Sequence, residues 1–219
     1  MPSVRERLTL YKDRAKKHLF FMLLCVGVLW AVYFVNLALP ASWGDLRYKW
    51  HIRPRTFSGI FCIPVAPFLH LNLWHLSANT LPLVALGWIL SLSGWGLFLR
   101  VCVFTALTSG LGTWGLGQAS IIHEGASGIM MGMLGFLLAR GWFGRKLFWA
   151  VTALGVGLFY IVELLSLLRN EEGLSWASHF WGFAGGVALA WWMYGRRAPV
   201  LLVPAAIPTH ARISNRARR

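Results

Sequence analysis

Long stretches of this chain carry no charge. Residues 18–44, 56–99, 101–123, 125–139, 147–162 and 173–195 contain no Asp, Glu, Lys or Arg. A helix needs roughly 20 mostly apolar residues to cross a hydrocarbon core of about 30 Å. Backbone polar groups in lipid must be satisfied inside the protein, which a helix does within its own segment. The pattern predicts six spans, at about 19–39, 71–91, 96–116, 125–140, 147–168 and 176–195. A soluble core does not account for so many such runs in 219 residues, of which 13% are charged, against about 25% in soluble domains. The expected fold is an all-α membrane protein built as a bundle of six transmembrane helices.

Lys and Arg set the expected orientation, because cytoplasmic loops carry the excess of both. Arg5, Arg7, Lys12, Arg14, Lys16 and Lys17 precede the first span. Arg100 lies at one end of the third, and Arg140, Arg145 and Lys146 separate the fourth from the fifth. Arg196, Arg197, Arg212, Arg216, Arg218 and Arg219 follow the sixth. Together these place 16 of 21 basic residues on one side. That side is read as the cytoplasm, which puts both termini on the cytoplasmic side of a plasma membrane. Arg47, Lys49, Arg53 and Arg55 in the first external connection are the misfit. The net charge of +14 is thus topological. Nucleic-acid binding would need the charge on one folded surface, so no nucleic-acid partner is expected.

The organisation reads as a basic N-terminal segment (1–18), a six-span domain (19–195) and a basic cytoplasmic tail (196–219). Ser3-Val4-Arg5-Glu6 fits a capping box. Val4, Leu8, Tyr11 and Ala15 share a helix face, so 3–18 is expected as an interfacial helix or, equally, a disordered leader. The first apolar run is too long for a signal-peptide core and has no A-x-A site, so it reads as a retained anchor. Trp43, Trp50, Phe57, Phe61 and Phe68 lie among Pro40, Pro54, Pro64 and Pro67. This connection is expected to sit half-sunk at the interface, with the prolines denying it a continuous helix. Cys25, Cys62 and Cys102 give neither metal spacing nor a disulfide framework, and no cofactor or metal is expected.

Two short motifs inside the apolar runs carry the chemistry. One is Gly125-Ala126-Ser127-Gly128; the other is His179 with Gly182 and Gly186. Ionisable groups in spans are rare and mark function by default, and Ser with His is the minimal nucleophile–base pair. The charge-free run from Gly125 is only about 22 Å of helix, so Ser127 is expected below the outer surface, in a water-filled pit. The alternative is a tilted helix or a locally thin bilayer. Spans four and six run in the same direction, which brings Ser127 and His179 to similar depth. Gly128 and Gly132 form one G-x-x-x-G face and Gly182 and Gly186 another, and such faces let backbones approach. His75 and Asn79 share a face of span two. They suit either oxyanion stabilisation or interhelical hydrogen bonding. A zinc protease would need H-E-x-x-H, but His123-Glu124 meets Ser127 at the second histidine position. The two aspartates, Asp13 and Asp45, lie outside the spans, which excludes an aspartyl intramembrane protease.

The set His70-Leu71-Asn72-Leu73-Trp74-His75-Leu76-Ser77-Ala78-Asn79, Gly125-Ala126-Ser127-Gly128 and His179-x-x-Gly182-x-x-x-Gly186 resembles the rhomboid family of intramembrane serine proteases over residues 20–195. Arg53-Pro54-Arg55 is similar to a bacterial subgroup of it. The resemblance implies a dyad without a required Asp, with Ser127 as nucleophile and His179 as base and then acid. It assigns the oxyanion hole to His75, Asn79 and the Ser127 amide, and a structural place near the site to His70. It implies a transmembrane protein substrate, cleaved near its outer end at a small residue beside helix-weakening ones, with the lipid bilayer as the other partner. Two positions depart from the pattern. Met131 stands where many relatives carry an aromatic residue packed on the histidine, and a glutamate common at the end of span two is absent. The family pattern gives Glu163 no role; it could pair with Arg169 or line the cavity. The competing readings are a non-proteolytic rhomboid-like protein that binds membrane clients, and a transporter. The first would be favoured by loss of Ser127 or His179. The second would need polar groups through the inner half of the bundle.

Overall fold

The computed structural model describes residues 3–166 and 175–196. Among them there is no strand, only an isolated bridge between Ile52 and His123. The helices are α1 (Val4–Ala38), α2 (Leu46–Trp50), α3 (Phe57–Cys62), α4 (Leu73–Ser91), α5 (Trp95–Leu116), α6 (Ser127–Phe143), α7 (Leu147–Phe159), α8 (Ile161–Ser166) and α9 (Trp176–Ala190). A π-helical turn, Trp191–Gly195, follows α9. By length and composition, α1, α4 and α5 can each cross a membrane. At 17, 13 and 15 residues, α6, α7 and α9 fall short of a full crossing.

Two elements differ from the sequence expectation. The interfacial helix at 3–18 and the span at 19–39 are one helix of 35 residues. Its start is fixed by the capping box: Ser3 Oγ accepts from Glu6 N–H while the Glu6 carboxylate accepts from Ser3 N–H. No Pro or Gly interrupts it before Gly27. His18 is buried at the junction, 3.0 Å from Ser91 Oγ and stacked on Trp95. The span expected at 147–168 is instead two helices that part at Tyr160 (φ −101°, ψ 27°). Tyr160 is buried while its neighbours Phe159 and Ile161 face outward, so the chain turns where its ring enters the core. The Glu163 side chain, Arg169 and the tail beyond Arg196 lie outside the described residues.

The core runs along α6. Met131, Met133, Leu134, Phe136 and Leu137 are almost fully buried there. It packs most extensively against α9, with α7 and α5 on its other sides. Small residues make this possible. A Cβ on Gly182 would sit 2.1 Å from the Gly128 carbonyl oxygen, and one on Gly186 would sit 2.0 Å from that of Gly132. On α6, a Cβ at Gly132 would meet Thr105 at 2.3 Å, and one at Gly135 would meet the Phe183 carbonyl at 2.4 Å. Helix α1 closes the bundle by lying along α4. Trp30 Nε1 donates to Thr80 Oγ1, and Trp88 Nε1 donates to the Ala15 carbonyl, each at 3.0 Å.

The connection 40–70 is the expected broken path of short helices. Its arginines are bonded within the protein. Arg47 pairs with Asp45, whose carboxyl is held down at about 2 chiefly by that hydrogen bond. Arg53 donates to the Lys49 carbonyl, and Arg55 donates to that of Gly117 at 3.0 Å. Arg55 N–H also donates to Trp114 O, tying this segment to the end of α5.

Candidate active site

Ser127 opens α6, after a turn that only glycine suits. Gly125 has φ +101°, a region L side chains rarely adopt. A Cβ there would also lie 2.8–2.9 Å from the His75 ring. The turn is anchored on both flanks: Gly125 N–H donates to Ala66 O, and Ile52 N–H donates to His123 O. Ala126, the N-cap, supplies no side-chain cap. The first N–H groups of a helix have no intrahelical acceptor, so those at Ser127 and Gly128 can serve a bound group.

His179 sits in the first turn of α9. Its Nε2 lies 2.9 Å from Ser127 Oγ, the distance of a hydrogen bond between hydroxyl and imidazole. Ser127 is 7% exposed. Its exposed side faces a cleft of about 370 Å³, whose walls include His75, Ser175, His179, Ile122, Glu124 and Trp74. The α6–α9 approach at Gly128 and Gly182 sets the short Ser–His distance. Gly128 meets α5 and α9 as well: a Cβ there would be 2.1 Å from Ser109 Oγ and 2.5 Å from Ser178 Oγ.

The other residues expected at the site fall around this pair. His75 lines the cleft. Asn79, 3% exposed, is one turn deeper and directs one amide N–H to the His75 carbonyl at 3.0 Å. A Cβ on Gly125 would lie 3.8 Å from Asn79 Nδ2, so the amide is beside the turn that presents Ser127. The helix bearing both starts at Asn72, whose side chain accepts from His75 N–H at 2.8 Å. His70 is buried and meets His75 edge-on, with ring centroids 5.2 Å apart. Met131 is buried in the main core.

Four residues were not legible as parts of the site. His123 is buried and holds the ends of two elements together. Its Nδ1 is 2.7 Å from Ser175 Oγ, the N-cap of α9, and its Nε2 is 2.7 Å from the Gln118 carbonyl. Ser109 and Ser178 hydrogen-bond across α5 and α9 at 2.8 Å, so Ser178 is committed to packing. Glu124 is buried on the cleft wall, in the loop between α5 and α6. Its carboxylate oxygens have no hydrogen-bond partner among the described residues. Burial pushes it up to about 7, against the pull of Arg47. In the sequence His123-Glu124 signalled only a failed zinc motif, because the Ser175 hydroxyl that His123 meets is 52 residues away and the burial of Glu124 arises only in the fold.

The family model for the Rhomboid domain matches residues 58–196. Uncharacterized proteins of Mycobacterium bovis and Mycobacterium tuberculosis are 36% identical over 148 residues, covering 64% of this chain and 62% of each relative. An uncharacterized protein of Mycobacterium leprae is 34% identical over 137 residues, covering 59% of this chain and 54% of the relative. The matched stretch is thus less than two thirds of the length of these relatives. The family match takes in α4, the Ser127 turn and the His179 helix, and the chain belongs to the rhomboid family.

Proposed function

We propose that this protein is an intramembrane serine protease that hydrolyses a peptide bond near the outer end of a transmembrane substrate. The observation that carries the reading is the 2.9 Å contact between Ser127 Oγ and His179 Nε2 at the floor of a cleft. An unassisted serine hydroxyl is a weak nucleophile, and an adjacent base activates it. As Ser127 Oγ attacks the substrate carbonyl, its proton passes to His179 Nε2. The carbonyl oxygen becomes an oxyanion facing the helix N-terminus, where the Ser127 N–H, Asn79 and His75 are the available donors. Donors placed where charge develops are often the largest catalytic term. Collapse of this intermediate breaks the C–N bond, and His179 returns its proton to the departing amine. Water then attacks the acyl-serine with His179 as base, releasing the carboxyl product and restoring Ser127.

Substrate approach is read from the rim. Trp74 is 82% exposed and Leu71 is also exposed, and both border the cleft. They offer an apolar path for a helix arriving through lipid. The six-span arrangement with both termini in the cytoplasm belongs to the same proposal. The short α6, α7 and α9 would then cross within protein or a thinned bilayer. The competing reading, a non-proteolytic client-binding protein, has no use for the Ser127–His179 contact. Treatment of membranes with a fluorophosphonate probe tests the difference. Covalent labelling at Ser127, absent from Ser127→Ala, is the expected result; an unlabelled wild type would favour client binding.

A further inference from the structure

The end of the bundle away from Ser127 holds a second cavity, of about 800 Å³. Ser127 opens α6 and Arg140 lies in its last turn, so the two sites are about 20 Å apart along the helix. The cavity lies between the N-terminal part of α1, the end of α4, the end of α6 and the start of α7. Its walls are apolar at Ile89, Leu92, Phe148 and Trp149, and basic at Arg14 and Arg140, with no carboxylate among them.

Arg140 is the unusual residue. It is 8% exposed. Nη1 donates to Ser93 Oγ at 2.8 Å, and the guanidinium stands 3.5 Å over the Trp149 ring. The Nε is buried with no hydrogen-bond partner among the described residues. The ion pair present among those residues, Arg47 with Asp45, involves other groups altogether. A buried guanidinium with no carboxylate paired to it among the described residues is costly, and its cation–π contacts with Trp149 and, at 5.3 Å, Tyr194 offset only part of that cost. Arg14 faces the same space from α1, and Lys12, Lys16, Lys17, Arg145 and Lys146 flank it in sequence.

We propose that this cavity binds an anionic phospholipid, with the phosphodiester between Arg140 and Arg14 and the upper acyl chains along Ile89, Leu92 and Phe148. Basic pockets between transmembrane helices suit anionic head groups. The apolar walls distinguish a lipid from a free phosphate ion. The strongly exposed Leu147, Phe148 and Val151 beside the opening place it against acyl chains. The bound lipid would join α1 to α6 and α7, and the site is independent of the hydrolytic reading.

The test uses the purified full chain in neutral detergent. Three probes are compared: dioleoyl phosphatidylglycerol, dioleoyl phosphatidylcholine and inorganic phosphate. Phosphatidylglycerol should raise the melting temperature in a saturable way, while the other two leave it nearly unchanged. Arg14→Gln, at an exposed position, should melt normally without lipid and lose most of the shift. Arg140→Gln should lose it entirely, and Arg14→Gln alone decides the matter if Arg140→Gln does not fold. Equal shifts with both lipids would overturn the proposal. So would the full shift with inorganic phosphate alone, or a full phosphatidylglycerol shift retained by Arg14→Gln.

Discussion

Ser127 and His179 are 52 residues apart in sequence and 2.9 Å apart in space, and each has a distinct expected loss. Ser127→Ala should reduce cleavage of a single-span substrate to background with the fold intact, since it removes one oxygen from a site that keeps its packing. His179→Ala should lose cleavage and fluorophosphonate labelling together; normal labelling would move the base to another residue. Asn79 separates catalysis from packing. As an oxyanion donor it acts chiefly in the transition state, so Asn79→Ala should lower kcat roughly tenfold or more with little change in KM. As an interhelical tie it would cost stability, on average about 0.6 kcal/mol for such bonds, with turnover of the folded fraction unchanged. Glu124 gives a pH signature. Its folded value of about 7 lies above the ordinary 4.5. Between these the unfolded chain has lost the proton that the folded chain keeps, so stability falls as pH rises through that window. Glu124→Gln carries no such loss. Its melting temperature should gain on wild type from pH 5 to pH 7.5 and level off above; parallel curves would show that Glu124 is not buried in its charged form.

At the scale of elements, the geometry turns on one helix pair. Helices α6 and α9 approach until carbonyl oxygens occupy the space a side chain would need. Overpacking at a tight contact costs about 1–3 kcal/mol. Gly182→Ala and Gly186→Ala should therefore lower the melting temperature, and Gly182→Ala should cost more activity, because it lies beside Gly128 and one turn from His179. Gly155→Ala in α7 is the control, since a Cβ there meets nothing within 4 Å. Equal behaviour of all three alanine variants would mean that α6 and α9 do not meet on these faces. Elements that end at the site are stitched at their caps. Asn72 starts α4, Ser175 starts α9 and His123 joins Ser175 to the end of α5. Each polar bond sits just outside an apolar helix, where the backbone would otherwise have orphan groups.

For the molecule as a whole, two groups of basic residues stand apart. Among the described residues, those on the N-terminal part of α1 around Arg14 and those at Arg145–Lys146 lie toward the end opposite the catalytic pair. Those at Arg47, Arg53 and Arg55 are bonded to carbonyls or to Asp45 near the cleft end. Topology should follow the first group. An alkaline phosphatase reporter joined after Gln118 should be active, and one joined after Arg145 inactive. The reverse pattern would invert the orientation and put the cleft on the cytoplasmic side.

What sequence alone determines here is what depends on local composition. Charge-free runs require helices in lipid, prolines break the 40–70 connection, and Ser3 with Glu6 starts α1. Small-residue spacing marked the faces at Gly128, Gly132, Gly182 and Gly186, because glycines four apart on an apolar helix leave a groove that another backbone can enter. Tertiary structure decided what depends on partners. Helix α1 continues through residue 18 because His18 finds Ser91 and Trp95, and the helix expected at 147–168 parts at Tyr160 because that ring enters the core. The places of His123, Ser109 and Glu124 at the site were not readable, since their hydrogen bonding and burial depend on segments far apart in sequence. The same holds for Arg140. In the sequence it is one more basic residue at a helix end; only the folded bundle encloses its guanidinium beside Trp149 and an apolar cavity.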